Sequence, residues 1–167
     1  MYKRQLFGGT DIVSYAGAAG PVTVTLWGHS SGVASGAAGN DRLLNIAAVL
    51  GSDHADTLTG DHAANTLMGG DGDDSIAGGP GFAAYSRPDV GADSLVGGAG
   101  ADTLNGGLGN DSLVGGAGND IAIYAGASGS VVVDLGAQTA SGGAGDDALS
   151  GIEGALGSDH ADTLIGG

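Results

Sequence analysis

The sequence predicts an all-β solenoid, in which short strands and tight turns stack along one axis. The main observations are a nine-residue period in the middle of the chain and a large aliphatic residue at a fixed position of each period. Glycine makes up 37 of the 167 residues, which excludes helix because each glycine costs a helix about 1 kcal/mol relative to alanine. A three-residue strand with a six-residue turn cannot bury its aliphatic side chain alone, whereas stacked copies can.

Five near-perfect copies share the pattern G-G-x-G-x-D-x-U-x, where U is a large aliphatic residue. They read GGDGDDSIA at residues 69–77, GGAGADTLN at 97–105, GGLGNDSLV at 106–114, GGAGNDIAI at 115–123 and GGAGDDALS at 142–150. Weaker copies occupy residues 51–59, 60–68 and 88–96, and a degenerate copy without aspartate occupies residues 78–87. The pattern predicts an inward-facing column at position 8: Leu58, Leu67, Ile76, Leu95, Leu104, Leu113, Leu149 and Leu164.

A longer duplication encloses the nonapeptides. Residues 11–26, DIVSYAGAAGPVTVTL, align with residues 120–135, DIAIYAGASGSVVVDL, and both copies later end in the same eight residues, GSDHADTL. We therefore expect an N-terminal segment extraneous to the repeats (1–10), a first flanking module (11–59), a nonapeptide array (60–119) and a second flanking module (120–167). We expect all of these repeats to form one continuous solenoid.

The charge of the chain limits its partners. Nineteen acidic residues, of which Glu153 is the only glutamate, oppose four basic residues and give a net charge of −15. Aspartate in such excess indicates turns, where its short carboxylate reaches nearby backbone or a bound cation. Nucleic acid and anionic membrane surfaces are therefore poor partners, and cations are favoured. The chain has no cysteine, and its longest apolar run, Ile46–Leu50, is too short to span a bilayer.

These repeats resemble the RTX family, the hemolysin-type calcium-binding repeats of bacterial proteins exported by type I secretion. The resemblance implies a right-handed parallel β-roll in which two nonapeptides form one coil. Positions 1–6 of each repeat would form the calcium-binding turn, and positions 7–9 would form the strand. Each Ca²⁺ would lie between stacked turns, bound by position-6 carboxylates and by backbone carbonyls of positions 1–4, as its preference for six to eight oxygen ligands requires.

Carried over residue by residue, the resemblance implies two columns of position-6 side chains. One column is Asp56, Asp74, Asp93 and Asp111, and the other is Asn65, Ala83, Asp102 and Asp120. Ala83 cannot bind a metal and Asn65 brings no charge, so sites between these two should be missing or weak. Asp147 and Asp162 are the corresponding residues of the second flanking module, and Asp11 and Asp41 those of the first.

The resemblance also implies that the glycine-rich positions contribute backbone oxygens to several calcium ions. These residues are Gly69, Gly70, Asp71, Gly72, Gly97, Gly98, Ala99, Gly100, Gly106, Gly107, Leu108, Gly109, Gly115, Gly116, Ala117 and Gly118.

Three other patterns suggest different chemistry. Residues 28–32 read GHSSG, which matches the nucleophile elbow of hydrolases, but no helix-forming stretch follows Ser30 as an elbow requires. His54, His62 and His160 lie in predicted turns without the H-E-x-x-H spacing of a zinc site. Serine or threonine recurs at position 7, where an ice-binding face is one interpretation and β-propensity on solvated strands is the simpler one.

We expect a non-enzymatic, calcium-dependent module of a secreted or cell-surface bacterial protein. The alternatives are a subunit of a surface assembly, such as an adhesin, surface layer or filament, and the C-terminal tail of a secreted protease or lipase. The sequence also predicts a contact surface for self-association or for packing on the rest of a longer chain. Thr59, Ala77, Val96 and Val114 at position 9 would form an outward, mostly apolar stripe along one sheet.

Overall fold

The computed structural model describes residues 2–3, 11–27, 31–79 and 90–167, and every regular element in these residues is a strand. The strands are β1 (Tyr2–Lys3), β2 (Asp11–Ser14), β3 (Val22–Leu26), β4 (Gly32–Gly36), β5 (Asp41–Leu43), β6 (Ile46–Leu50), β7 (Thr57–Thr59), β8 (Thr66–Asp71), β9 (Ser75–Ala77), β10 (Ser94–Gly100), β11 (Thr103–Asn105), β12 (Ser112–Gly118), β13 (Ile121–Ile123), β14 (Val131–Asp134), β15 (Thr139–Gly142), β16 (Asp147–Ser150), β17 (Gly154–Leu156) and β18 (Thr163–Ile165). In this part of the chain, no helix has the length and apolarity needed to cross a membrane.

Two sheets face each other across the roll. The first sheet has the order β1-β2-β6-β8-β10-β12-β16-β15-β14-β18, and the second has the order β17-β13-β11-β9-β7-β3-β4-β5. Strands of the nonapeptide array pair in parallel, and Ser94 pairs with Ser112, two nonapeptides later. The chain therefore alternates between the sheets, with one coil for every two repeats, and the predicted all-β roll is confirmed.

The core is the column of position-8 side chains between the sheets. Six of these side chains are at most 1 % exposed: Leu58, Leu67, Ile76, Leu95, Leu104 and Leu113. Burying each contributes about 2 kcal/mol, so stacking provides the burial that no single repeat can achieve. Leu164 departs from this prediction because it is 51 % exposed. It lies in β18 at the edge of its sheet, where β14 is its only partner strand among the described residues.

One coil is longer than the others, and it changes the predicted register. Thr66 pairs with Ser94, 28 residues later, whereas the neighbouring coils advance by 18 residues. Gly78 lies beside the Asp93 carboxylate, as Gly97 lies beside that of Asp102, so Gly78 is position 1 of the repeat that contains Asp93. Residues 80–89 are therefore an insertion within one nonapeptide. The prediction of separate copies at 78–87 and 88–96 was wrong.

The insertion also corrects the predicted apolar stripe. Thr59 and Ala77 lie in β7 and β9 of the second sheet, whereas Val96 and Val114 lie in β10 and β12 of the first. Ten inserted residues were counted as half a coil, which assigned the later strands to the wrong sheet. The outward position-9 residues of four adjacent strands in the first sheet are Leu50, Met68, Val96 and Val114.

The flanking modules add antiparallel strands to the roll. In the first module, β3 pairs antiparallel with β4, and β4 with β5. In the second module, β14 pairs antiparallel with β15, and β15 with β16. Buried aliphatic residues alternate with more exposed threonines in Val22–Leu26, which suits a strand with one face on the core. The first hairpin lies in the second sheet and its duplicate lies in the first sheet, so the two modules place their hairpins on opposite faces of the roll.

Candidate metal centre

The G-G-x-G turns depend on glycine at positions 2 and 4. Gly98 has a φ of 128° and Gly100 a φ of 139°, in the region that side chains disfavour. A Cβ on Gly98 would also overlap the carbonyl oxygen of Gly70 in the preceding coil, and one on Gly116 would overlap that of Gly98. Only glycine therefore permits this turn conformation and this close stacking of backbone on backbone.

Position-6 side chains form two ladders along the rims of the roll. In each ladder, Oδ1 accepts a hydrogen bond of 2.7–2.9 Å from the backbone amide of the position-6 residue one coil earlier. One ladder is Asp56, Asp74, Asp102 and Asp120, and the other is Asn65, Asp93, Asp111 and Asp147. Each carboxylate thus uses one oxygen to fix the stacking of two turns.

The ladders differ from the predicted columns wherever the insertion intervenes. Asp74 stacks on Asp102 and not on Asp93, because the strands on either side of residues 80–89 pair 28 residues apart in both sheets. Asn65 stacks on Asp93, and Ala83, its predicted neighbour, lies outside the described residues. The pairs Asp93–Asp111 and Asp102–Asp120 are adjacent in the structure, and Asp147 continues the second ladder.

The other carboxylate oxygen points to the place where a cation would fit. Oδ2 of Asp74, Asp102 and Asp120 is buried and has no hydrogen-bond partner. In the turn of Asp102, a Cβ on Gly97 would overlap this oxygen and lie 2.6 Å from the Gly115 carbonyl oxygen of the next coil. A buried anionic oxygen without a partner is costly. An oxygen-binding cation between the coils would remove that cost.

Burial and crowding raise the pKa of several ladder carboxylates. Burial raises the pKa of Asp74 to about 7, and the charges of Asp102 and Asp56 act in the same direction. Burial likewise raises the pKa of Asp102, and it raises that of Asp147 to about 6, with the Asp111 charge adding to the effect. Without a cation, the ladder therefore disfavours its own negative charge.

The remaining ligands would have to be backbone carbonyls. Within the described ranges, no three histidine, aspartate or glutamate side chains converge on one point that could hold a metal. A site of one or two carboxylates completed by carbonyl oxygens is a hard, flexible oxygen set of the kind that Ca²⁺ accepts. Not every predicted carbonyl is equally available, because that of Ala99 accepts a hydrogen bond from the amide of Gly72 (2.5 Å).

Sequence reasoning missed several residues at these rims. Oε2 of Glu153 accepts a hydrogen bond of 2.8 Å from the Asp120 amide, so it continues the first ladder where the nonapeptides end. The only sequence feature that distinguishes Glu153 is that it is the sole glutamate of the chain. Ser52 and Ser158 hydrogen-bond to Asp56 and Asp162 within their own turns. Ser30, the candidate nucleophile, lies outside the described residues.

The fold and the rims together define a parallel β-roll with oxygen-donor sites suited to calcium. A family model of the RTX calcium-binding nonapeptide repeat matches four copies in this chain, over residues 50–82, 89–122 and 134–155. These residues make up more than half of the sequence, so the chain belongs to the RTX calcium-binding repeat family and its repeats bind Ca²⁺. No curated protein matches the chain.

Proposed function

We propose that this chain is a calcium-dependent structural module that folds when it binds Ca²⁺ outside a bacterial cell. The observation that carries the proposal is the row of buried Oδ2 atoms of Asp74, Asp102 and Asp120 without hydrogen-bond partners. The ligands we propose at these rims are the ladder carboxylates from Asp74 to Asp120 and from Asp93 to Asp147. Backbone oxygens of the G-G-x-G turns at residues 69–72, 97–100, 106–109 and 115–118 complete the sites.

Electrostatics supports folding on calcium binding. Stacked carboxylates one strand spacing apart, about 4.8 Å, repel by roughly 3 kcal/mol at an effective dielectric of 20. This repulsion recurs between successive carboxylates of each ladder, and the whole chain carries a charge of −15. Because the unfolded chain lacks the sites, the free energy of calcium binding becomes free energy of folding. Low cytosolic calcium would keep the chain unfolded for export, and millimolar external calcium would fold it.

The modules are proposed to fold as one unit, because a single hydrophobic core runs through all of them. This core extends from Val13 in the first flanking module through Leu104 in the array to Ile152 in the second module. Residues 11–59, 60–119 and 120–167 are therefore segments of one solenoid and not independently stable domains. We propose no enzymatic role, since the repeats of this family are typically non-catalytic.

A calcium titration followed by far-UV circular dichroism tests the proposed function. We expect a disordered spectrum in excess chelator and a β spectrum at millimolar Ca²⁺, with little change at the same concentration of Mg²⁺, which prefers a rigid octahedral site. A full β spectrum in chelator would contradict the proposal.

Self-association is a second candidate role, favoured by the outward residues Leu50, Met68, Val96 and Val114. These residues lie side by side on four neighbouring strands, and Met68 is 41 % exposed. Replacing Val96 and Val114 with lysine should lower the sedimentation coefficient of calcium-loaded protein if this stripe joins two copies. Lysine at Ser94 and Ser112 on the same strands is the matched control.

A further inference from the structure

The two copies of GSDHADTL bind their own aspartate with the same three donors. In the first copy, Asp56 Oδ1 accepts hydrogen bonds from Ser52 Oγ (2.9 Å) and Val22 N (2.8 Å), and Oδ2 accepts one from Ser52 N (2.5 Å). In the second copy, Asp162 Oδ1 accepts from Ser158 Oγ (2.7 Å) and Val131 N (2.9 Å), and Oδ2 accepts from Ser158 N (2.6 Å). The arrangement therefore recurs in both flanking modules, with two donors from the serine of the eight residues and one from a valine of β3 or β14.

These turns differ from the G-G-x-G turns in the number of hydrogen bonds that the position-6 carboxylate accepts. Asp74, Asp102 and Asp120 each accept an amide hydrogen bond at Oδ1 and none at Oδ2. A carboxylate has about four lone-pair sites, so three donors occupy most of the capacity of Asp56 and Asp162. Hydroxyl and amide donors also offset the negative charge that would otherwise attract a cation.

The backbone of the two kinds of turn also differs. Positions 2 and 4 of the G-G-x-G turns have positive φ, as at Gly70 (123°) and Gly72 (113°). Ser52 and His54 occupy these positions in the first GSDHADTL turn, and neither has a positive φ. The backbone through positions 1–4 therefore follows a different course from that of the G-G-x-G turns, which would also re-orient its carbonyl groups. Both parts of the expected calcium site, carboxylate and carbonyls, are altered.

In the adjacent turn of the first coil, residues 60–65, side-chain oxygens accept hydrogen bonds from backbone amides of the same turn. Asn65 Oδ1 accepts a hydrogen bond from Asp61 N (2.6 Å), and Asp61 Oδ1 accepts one from Ala63 N (2.8 Å). Position 6 of this turn has no negative charge, because Asn65 replaces aspartate. Among the described residues of the first coil, no buried carboxylate oxygen lacks a hydrogen-bond partner.

We propose that both GSDHADTL turns are metal-free closures, in which a serine hydroxyl and amide take the place of the cation. Calcium is then confined to the G-G-x-G turns between them, and Asp56 and Asp162 do not bind it although they occupy position 6 of the motif. This inference rests on the proposed function and narrows it. It gives the duplicated eight residues a role: ending the calcium-bound part of the roll with turns that need no ion.

The number of calcium ions bound by three asparagine variants tests the inference. Asp162→Asn and Asp56→Asn should leave the number of ions per chain unchanged, as counted by native mass spectrometry and by calorimetric titration. Asp102→Asn, which makes the same chemical change in a G-G-x-G turn, should lower the number by at least one. Asp162 lies in an exposed turn next to the edge strand β18, so its variant remains informative if Asp56→Asn does not fold.

Serine variants separate the role of the hydroxyl from that of the carboxylate. Ser52→Ala should lower the thermal unfolding midpoint of the calcium-loaded protein without changing the number of bound ions. Loss of an ion in Asp162→Asn, or an unchanged midpoint in Ser52→Ala, would overturn the inference. A wild-type chain that binds no calcium would instead overturn the proposed function, so the two failures are distinguishable.

Discussion

At the scale of single residues, aspartate at position 6 has two roles that no other residue type combines. One oxygen accepts a hydrogen bond from an amide of the preceding coil, and we propose that the other binds a cation. Glutamate would place its carboxylate one methylene further from the backbone, and asparagine would keep the ladder without the charge. The repeat pattern identified these aspartates by position, and their role as calcium ligands stays a prediction. It did not predict Glu153, whose partner Asp120 lies 33 residues away in sequence and becomes adjacent only when the coils stack.

The raised pKa values of Asp74 and Asp147 predict how the stability of the calcium-free fold depends on pH. Their pKa values in the fold are raised to about 7 and about 6, above the unfolded value of 3.8. A raised folded-state pKa gives stability that is complete below the unfolded pKa and is lost as the pH rises through the folded pKa. In calcium-free buffer, we therefore expect β structure to increase as the pH falls from 8 to 4.

Circular dichroism on protein depleted of calcium by a chelating resin measures this response. Asp74→Asn together with Asp147→Asn should flatten the pH dependence between pH 5 and 8, because two of the protons taken up on folding are removed. Asp159→Asn, at an exposed position outside both ladders, is the control for charge alone. An unchanged spectrum from pH 8 to pH 4 would show that burial of these carboxylates does not oppose the calcium-free fold.

At the scale of elements, sequence reasoning gave the strands and turns but not the register beyond residue 78. A ten-residue stretch is close to the length of one repeat, so counting by nines treats it as half a coil. Pairing of Leu67 with Leu95 shows that β10 lies on the same sheet as β8. Only contacts between distant strands distinguish an insertion from a degenerate repeat. The mistaken register therefore affected both the predicted columns of position-6 side chains and the predicted apolar stripe at position 9.

Deletion of residues 80–89 tests this register. The deletion joins Gly79 to Val90 and creates GGVGADSLV, which fits the nonapeptide pattern at every position. The variant should fold on calcium with the same number of ions as the full chain. Its calcium-bound state should be more stable by about 1 kcal/mol, because a shorter loop costs less closure entropy.

Chemical denaturation in saturating calcium gives the free energy of unfolding of the deletion variant. Deleting residues 97–105, which removes one true nonapeptide, is the comparison, because it shifts all later strands to the opposite sheet and should abolish folding. Loss of folding in the 80–89 deletion would mean that this segment supplies half a coil after all.

At the scale of the whole molecule, each ladder couples its calcium sites. Asp102 contacts both Asp74 and Asp120 through hydrogen bonds, so loss of one turn disturbs the turns on either side. Solenoid stability depends on such nearest-neighbour terms. We therefore expect a steep calcium titration with a Hill coefficient above 1. Asp111→Ala should shift its midpoint to at least several-fold higher calcium and reduce its steepness, whereas Asp159→Ala should change neither.

The composition and the period predicted an all-β solenoid with an inward leucine column, and the resemblance to RTX repeats implied the parallel roll and calcium as its ion. Antiparallel hairpins in the flanking modules were not predicted, because a β-rich stretch such as Val22–Leu26 is compatible with either pairing direction. The exposure of Leu164 could not be predicted either, since the identical residue Leu58 is fully buried. β7, which contains Leu58, pairs with both β3 and β9, whereas β14 is the only partner of β18 among the described residues.

The opposite orientation of the two flanking modules has a consequence for symmetry. The strand order β5-β4-β3-β7 of the second sheet recurs as β16-β15-β14-β18 in the first, as a half-turn about the roll axis combined with a translation along it would produce. The molecule is therefore pseudo-symmetric, with one copy of the same hairpin on each face. A surface that both copies of the hairpin share is therefore presented on two opposite faces of the roll.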